Sequence, residues 1–187
     1  MVPLAYRLEV EPLDLGADVK SVGLELLDRE SREPVRGADA ARIWGAVLPA
    51  LAGSEPWALD FFSHLDRLRE FCRLHKIAYR EAARRCIVIA SPRPELLEAL
   101  LGRFEAETFG ARAGGPLAAG DAALEGDLAR RGVDAYHPAF ANYFFCAVCD
   151  FENGFLTLLT NRLWASEVIR RLRPVLDELP VEVARPQ

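Results

Sequence analysis

The segment 143–160 most constrains the fold, because it has the pattern of two strands joined by a tight reversal. Apolar and aromatic residues flank the dipeptide Asn153-Gly154 on both sides. Asn-Gly tolerates the positive φ that both central residues of a two-residue type I′ turn require. The sequence therefore predicts a β-hairpin with its turn at 153–154, and this turn places Val148 opposite Leu159.

Apolar spacing in the rest of the chain predicts a mixture of strands and helices. Alternation with a period of two predicts strands at 4–11, 22–28 and 180–184, and an apolar run predicts a buried strand at 86–90. Helical spacing predicts helices at 39–52, 95–107 and 164–179, and one that opens at Ser54. The apolar stripe expected on this last helix comprises Trp57, Phe61, Leu65, Leu68, Cys72 and His75.

These elements predict one α+β domain over residues 1–187. A mixed β-sheet would combine the N-terminal strands with the C-terminal hairpin, and the helices would pack mainly on one face. The Gly- and Ala-rich stretch at about 110–134 is predicted to be a mobile loop. A chain of 187 residues with 51% apolar residues has enough material for one sizeable core. It contains no apolar run of membrane-spanning length and no export signal at its start, so we expect a cytoplasmic protein.

Three of the four cysteines could form a zinc site together with a histidine, but the geometry of the predicted hairpin is not compatible with such a site. Cys72 and His75, together with Cys146 and Cys149, would complete a tetrahedral Cys₃His set. Residues three apart on a strand point to opposite faces, so the two hairpin thiols cannot hold one ion. We therefore expect packed free thiols and no metal.

A basic segment suggests a second kind of site. Residues 61–93 contain eight basic and three acidic residues, although the net charge of the whole chain is −5. A solvated face, a surface for an acidic protein and an anion or nucleic-acid site all fit this pattern, and the net charge disfavours nucleic acid. If the second helix continues to residue 84, one stripe would carry Arg69, Arg73, Lys76, Arg80 and Arg84.

The helix predicted at 39–52 is apolar on nearly all sides, since Asp39 and Arg42 are its only charged residues. Such a helix must be buried in a core or against a partner. The sequence therefore suggests a protein interface that contains Ile43, Trp44, Val47, Leu48 and the nearby Trp57.

Candidates for catalysis are isolated residues. His64, His75 and His137 could act as bases, and Ser91 follows a buried strand, where α/β folds often bind a ligand. No nucleotide-binding, nucleophile-elbow or metalloprotease motif accompanies them, and no cofactor is implied. We therefore predict a non-enzymatic protein-interaction or assembly subunit, either self-associating or part of a larger complex. The alternatives are a module that binds an anionic ligand through the basic stripe and, less favoured, an enzyme without a local motif.

Overall fold

The computed structural model describes residues 4–13, 21–61, 64–82, 86–90, 92–103, 108–114, 143–151, 153–160 and 163–184. These residues form a single α+β domain with four helices and one mixed sheet of nine strands. The helices are α1 (Gly37–Ala52), α2 (Leu65–Leu74), α3 (Pro94–Arg103) and α4 (Ala165–Leu176). The strands are β1 (Tyr6–Leu13), β2 (Ser21–Asp28), β3 (Trp57–Phe61), β4 (Arg80–Ala82), β5 (Cys86–Ala90), β6 (Thr108–Ala113), β7 (Phe145–Asp150), β8 (Phe155–Leu159) and β9 (Val181–Ala184).

The strand order across the sheet is β4-β5-β3-β6-β7-β8-β2-β1-β9. All neighbouring strands are antiparallel except β1 and β9, which are parallel. The predicted fold class is thus confirmed, and β9 is the edge strand that the sequence suggested. One edge of the sheet combines β4 and β5 with α2, and the other combines β1 and β9 with α4.

Alternation along the strands separates a core face from a second face. The core face of the central strands carries Trp57, Leu59 and Phe61 from β3 and every second residue of β6 and β7. Helix α1 packs beside α3 and α4, and its apolar side chains join the same core cluster. Apolar burial of this extent is the main favourable contribution to folding.

The hairpin at β7 and β8 is confirmed, but its predicted register is wrong by two residues. Asp150 pairs with Phe155 and Cys146 with Leu159, which leaves residues 151–154 as the connection. The carboxylate of Asp150 accepts hydrogen bonds from the backbone N and Nδ2 of Asn153, at 3.2 and 2.8 Å, and these bonds favour the longer loop. A shift of two residues leaves every side chain on its predicted face, because the strand period is two.

Two predicted elements differ from the structure. Residues 57–61 form the central strand β3 instead of a helix, since they are buried throughout and pair with a strand on each side. Residues 110–113 belong to β6, so the prediction of a loop at 110–134 is wrong for its first four residues. The rest of that segment from residue 115, together with Arg84, Ser91 and His137, lies outside the described residues.

Candidate functional site

The basic residues predicted to form one helical stripe lie on different elements. Arg69 and Arg73 are on α2, but the helix ends at Leu74 and the chain turns at Lys76, whose φ is 53°. Arg80 begins β4, on the far side of this turn. The prediction of a continuous helix to residue 84 is therefore wrong, and with it the regular spacing on which the anion site was based.

Arg69 is already neutralised by its own chain. Its Nε and Nη2 donate to the two carboxylate oxygens of Glu81 at 2.7 and 3.0 Å, and its Nη1 donates to Asp66 at 2.5 Å. The hydrogen bonds from Arg69 are the chief reason that the pKa of Glu81 is lowered. This bidentate contact ties α2 to β4 and leaves little of the Arg69 charge for a ligand.

The residues predicted to form an apolar interface lie inside the chain's own core. Ile43, Trp44, Val47 and Leu48 are each 0% exposed, and Trp57 on β3 is 9% exposed. The sheet and the neighbouring helices α3 and α4 account for the apolar character of α1. These side chains are therefore out of reach of a partner, and the interface prediction does not hold for them.

The four cysteines are free and buried. Burial raises the pKa of the Cys72 thiol to about 11 and places the pKa of Cys149 well above its ordinary value. Cys149 points into the core, whereas its neighbour on β7, Cys146, lies on the opposite face of the sheet. Within the described residues no group of three or more His, Cys, Asp or Glu side chains is placed to hold a metal ion.

Two of the candidate histidines are in the described part of the chain. His75 packs its ring against Phe71, with 4.3 Å between the ring centroids. His64 precedes α2 in a left-handed conformation, with φ at 48°. The two residues thus lie at opposite ends of one helix, which separates them by more than a hydrogen bond's reach.

A buried ionic cluster, which the sequence analysis missed, lies at the centre of the sheet. Nε and Nη2 of Arg112 donate to the two carboxylate oxygens of Asp60 at 2.6 and 2.8 Å, and Nη1 donates to the hydroxyl of Tyr143 at 3.2 Å. The three residues are 1 to 2% exposed. The available signals were a lone acid in the apolar segment 57–61 and a lone arginine in the apolar segment 108–113. The prediction of a helix over 57–61 kept the two from being connected.

The chemistry of this cluster is that of a buried bidentate ion pair. Burial by itself lowers the pKa of Arg112, but the hydrogen bonds and the charge of Asp60 outweigh it, and the net pKa is raised. The guanidinium therefore stays charged and holds the acid in a fixed bidentate geometry. Such a pair holds β3 against β6. Its role is therefore structural, and it is poorly suited to transferring a proton.

An open cleft lies between the outer side of α2 and the end of α3. Its volume is about 250 Å³. Leu74 is 75% exposed beside the partly buried Phe71, so the cleft has an apolar floor next to solvent. Within the described residues Arg67 and Arg103 at its rim form no hydrogen bond or ion pair. The cleft is lined by Arg67, Glu70, Phe71, Leu74, His75 and Arg103.

Comparisons with protein-family models, curated proteins and solved structures found no match to this chain. In the part of the chain that the structure describes, no helix is long and apolar enough to cross a membrane.

Proposed function

We propose that this chain is a non-enzymatic protein-interaction subunit that docks a partner in the cleft beside α2. The observation that carries the proposal is the 75% exposure of Leu74, which lines the cleft together with Phe71. Contiguous exposed apolar surface that is rimmed by polar residues is typical of protein–protein interaction sites.

Helix α2 has more apolar surface than the fold uses. Leu68 and Cys72 face the core and are 0% exposed, as the inner side of an amphipathic helix requires. Phe71 and Leu74 lie three residues apart on another side of the helix, with Arg67 one turn before them. This second side lines the cleft, and Leu74 is the apolar residue on it that is largely open to solvent.

The groups that could have supported catalysis favour this proposal over an enzyme. Asp60 and Arg112 are paired with each other, and burial raises the pKa of Cys72 and Cys149. Nucleophilic cysteines generally need a lowered pKa and access to solvent. The binding of an anion by the five predicted basic residues is less favoured, because Arg69 is paired with Glu81 and the five do not share one helix face.

The proposal is tested by affinity purification of the chain from its native host. We expect a co-purifying protein that is lost with Leu74→Asp and retained with Leu4→Asp. Leu4 is a matched control, since it is 43% exposed and lies beside β1, towards the other edge of the sheet. Equal recovery of all co-purifying proteins with both variants, each shown to be folded by circular dichroism, would contradict the proposal.

A second copy of the chain is one of the partners that the proposal allows. Light scattering of the purified protein separates this case from a heteromeric complex. A dimer that Leu74→Asp converts into a monomer would identify self-association through the cleft, and a monomer would assign the site to another protein.

A further inference from the structure

Among the described residues that line the cleft, arginines outnumber carboxylates. Arg67 and Arg103 reach it from α2 and α3, and Glu70 is the one carboxylate among its lining residues. Within the described residues neither arginine has a hydrogen-bond or ion-pair partner. Eight other described arginines are paired with acids of the same chain: Arg7, Arg29, Arg32, Arg42, Arg69, Arg112, Arg170 and Arg171. Four more share with the two at the cleft the lack of an acidic partner within the described residues: Arg36, Arg73, Arg93 and Arg173.

Arg103 is partly neutralised by its own helix. It lies in the last turn of α3, where the helix dipole favours a cation. Arg73 and Lys76 are exposed nearby on α2 and in the turn that follows it, and they extend the positive surface beyond the rim. A negatively charged partner would therefore be attracted to this edge of the molecule before contact.

The floor of the cleft limits the kind of anion that fits. Phe71 and Leu74 present apolar surface, which an inorganic phosphate does not use. The volume of about 250 Å³ is below the roughly 300 to 1,000 Å³ that is usual for a cofactor-sized ligand, but it accommodates an apolar side chain. The net charge of −5 for the whole chain also opposes nucleic acid.

Resting on the proposed function, we infer that the docked segment is an acidic stretch of a partner protein. An apolar side chain of this segment contacts Phe71 and Leu74, and flanking carboxylates pair with Arg67 and Arg103. The arginine fork suits carboxylates, because it offers two parallel donors to the two oxygens. Recognition of this kind combines a hydrophobic contact with an electrostatic attraction, and the attraction weakens as the salt concentration rises.

The probe for this inference is a fluorescein-labelled peptide of about 15 residues, in which a leucine and a phenylalanine one helical turn apart are flanked by glutamates. Two control peptides carry lysine in place of the glutamates, or alanine in place of the two apolar residues. Fluorescence anisotropy with the full chain should show binding of the acidic peptide at least tenfold tighter than of either control. The affinity should fall as sodium chloride is added.

Charge-reversal variants of the chain localise the contact. Arg67→Glu combined with Arg103→Glu should weaken binding of the acidic peptide at least tenfold. Arg173→Glu, an equal change of charge per residue at an exposed position of α4, should leave it within twofold. Circular dichroism of each variant shows whether it has kept its fold.

The outcomes separate this inference from the proposed function. If Leu74→Asp removes the native partner but charge reversal and salt have no effect on peptide binding, the docking site stands and its acidic ligand is overturned. If the acidic peptide does not bind, the inference is overturned as well. Tighter binding of a labelled oligothymidylate, lost on charge reversal, would replace the acidic segment with nucleic acid. A dimer that Leu74→Asp dissociates would replace it with a second copy of the chain.

Discussion

Arg112 on β6 and Asp60 on β3 form a bidentate ion pair in the interior, with donor–acceptor distances of 2.6 and 2.8 Å. The register places Asp60 opposite Gly110 and Arg112 opposite Ala58, so the charged pair is diagonal across two neighbouring strands. At Gly110 a Cβ atom would lie 3.4 Å from the Cβ of Asp60. Small residues opposite both charged side chains thus leave the room that the pair occupies.

Removal of one member of this pair should destabilise the fold strongly. Arg112→Met leaves the Asp60 carboxylate buried without its main partner, and the expected loss is about 3 to 5 kcal/mol. The measurement is urea unfolding followed by circular dichroism. Asp60→Asn should also lower the free energy of unfolding, because it leaves the buried Arg112 guanidinium without its carboxylate partner.

The double variant Asp60→Leu/Arg112→Met distinguishes pairing from packing. It should lose less stability than the sum of the two single variants, because no charge is left uncompensated. The exposed pair of Arg170 and Glu167 provides a control, and Arg170→Met should change stability far less than Arg112→Met, because exposed ion pairs contribute little. Equal losses at the buried and exposed pairs would contradict this interpretation.

Because the apolar residues of α1 are buried, we predict that substituting them lowers the stability of the chain. Leu48 is 0% exposed within its own chain, so Leu48→Ala should lower the free energy of unfolding by about 2 to 5 kcal/mol. Leu74→Ala, at a position 75% exposed, should change it by less than about 1 kcal/mol. If Leu48→Ala left stability unchanged but abolished association with a partner, the original interface prediction would be restored.

The sequence predicted the fold class well, because most strands and helices have one clear hydrophobic period. It failed at 57–61, where Trp57 and Phe61 are four residues apart and continue the helical spacing of α2. A strand of five residues with period two has only three positions on its core face. This short pattern is a weaker signal than the longer helical spacing that continues into α2, so the segment was predicted as a helix. Pairing with distant strands decided the outcome, and a single sequence does not reveal such pairing.

The candidate sites were less predictable for the same reason. The basic stripe depended on one helix, but the turn at Lys76 divides it between α2 and β4. The cleft depends on Leu74 and Arg103, which belong to helices separated in sequence and brought together only by the fold. The two late thiols were assigned correctly to opposite faces, because that result needs only the strand period and not the register.

The buried thiols should be unreactive in the native protein. Because burial raises the pKa of Cys72 to about 11, roughly one thiol in 10⁴ is ionised at neutral pH. The pKa values of Cys146 and Cys149 are also raised by burial. Mass spectrometry after brief maleimide treatment should show no adduct in buffer and four adducts in urea. A rapid single adduct in buffer would identify an accessible thiolate and contradict this prediction.

Glu25 should make stability depend on pH in the direction opposite to a typical salt-bridged acid. Burial, followed by the charges of Glu9 and Glu11, raises its pKa, and Glu9 is its direct cross-strand neighbour. The folded chain therefore binds this proton more tightly than the unfolded chain, so the charged form of Glu25 destabilises the fold at neutral pH. Glu25→Gln should raise the urea midpoint at pH 7.

That gain should shrink as the pH falls through the raised pKa and vanish below about 4, where the carboxyl is protonated in both states. Glu30→Gln is a control at an exposed position near the end of the same strand, and it should show little change at either pH. A midpoint for Glu25→Gln that is unchanged or lower at pH 7 would show that the acid is stabilised by its surroundings.

Gly154 should be intolerant of a side chain. Its φ is +64°, and a Cβ atom would lie 2.8 Å from the backbone oxygen of Leu26, which is too close for contact. Gly154→Ala should therefore reduce the free energy of unfolding by more than about 1 kcal/mol, through backbone strain and this clash. Gly102 is the matched control, because it lies within α3 and an added Cβ would meet Ala41 at an ordinary 3.6 Å. Gly102→Ala should be neutral or stabilising by up to about 1 kcal/mol, and equal effects at the two glycines in urea unfolding would refute the assigned turn geometry.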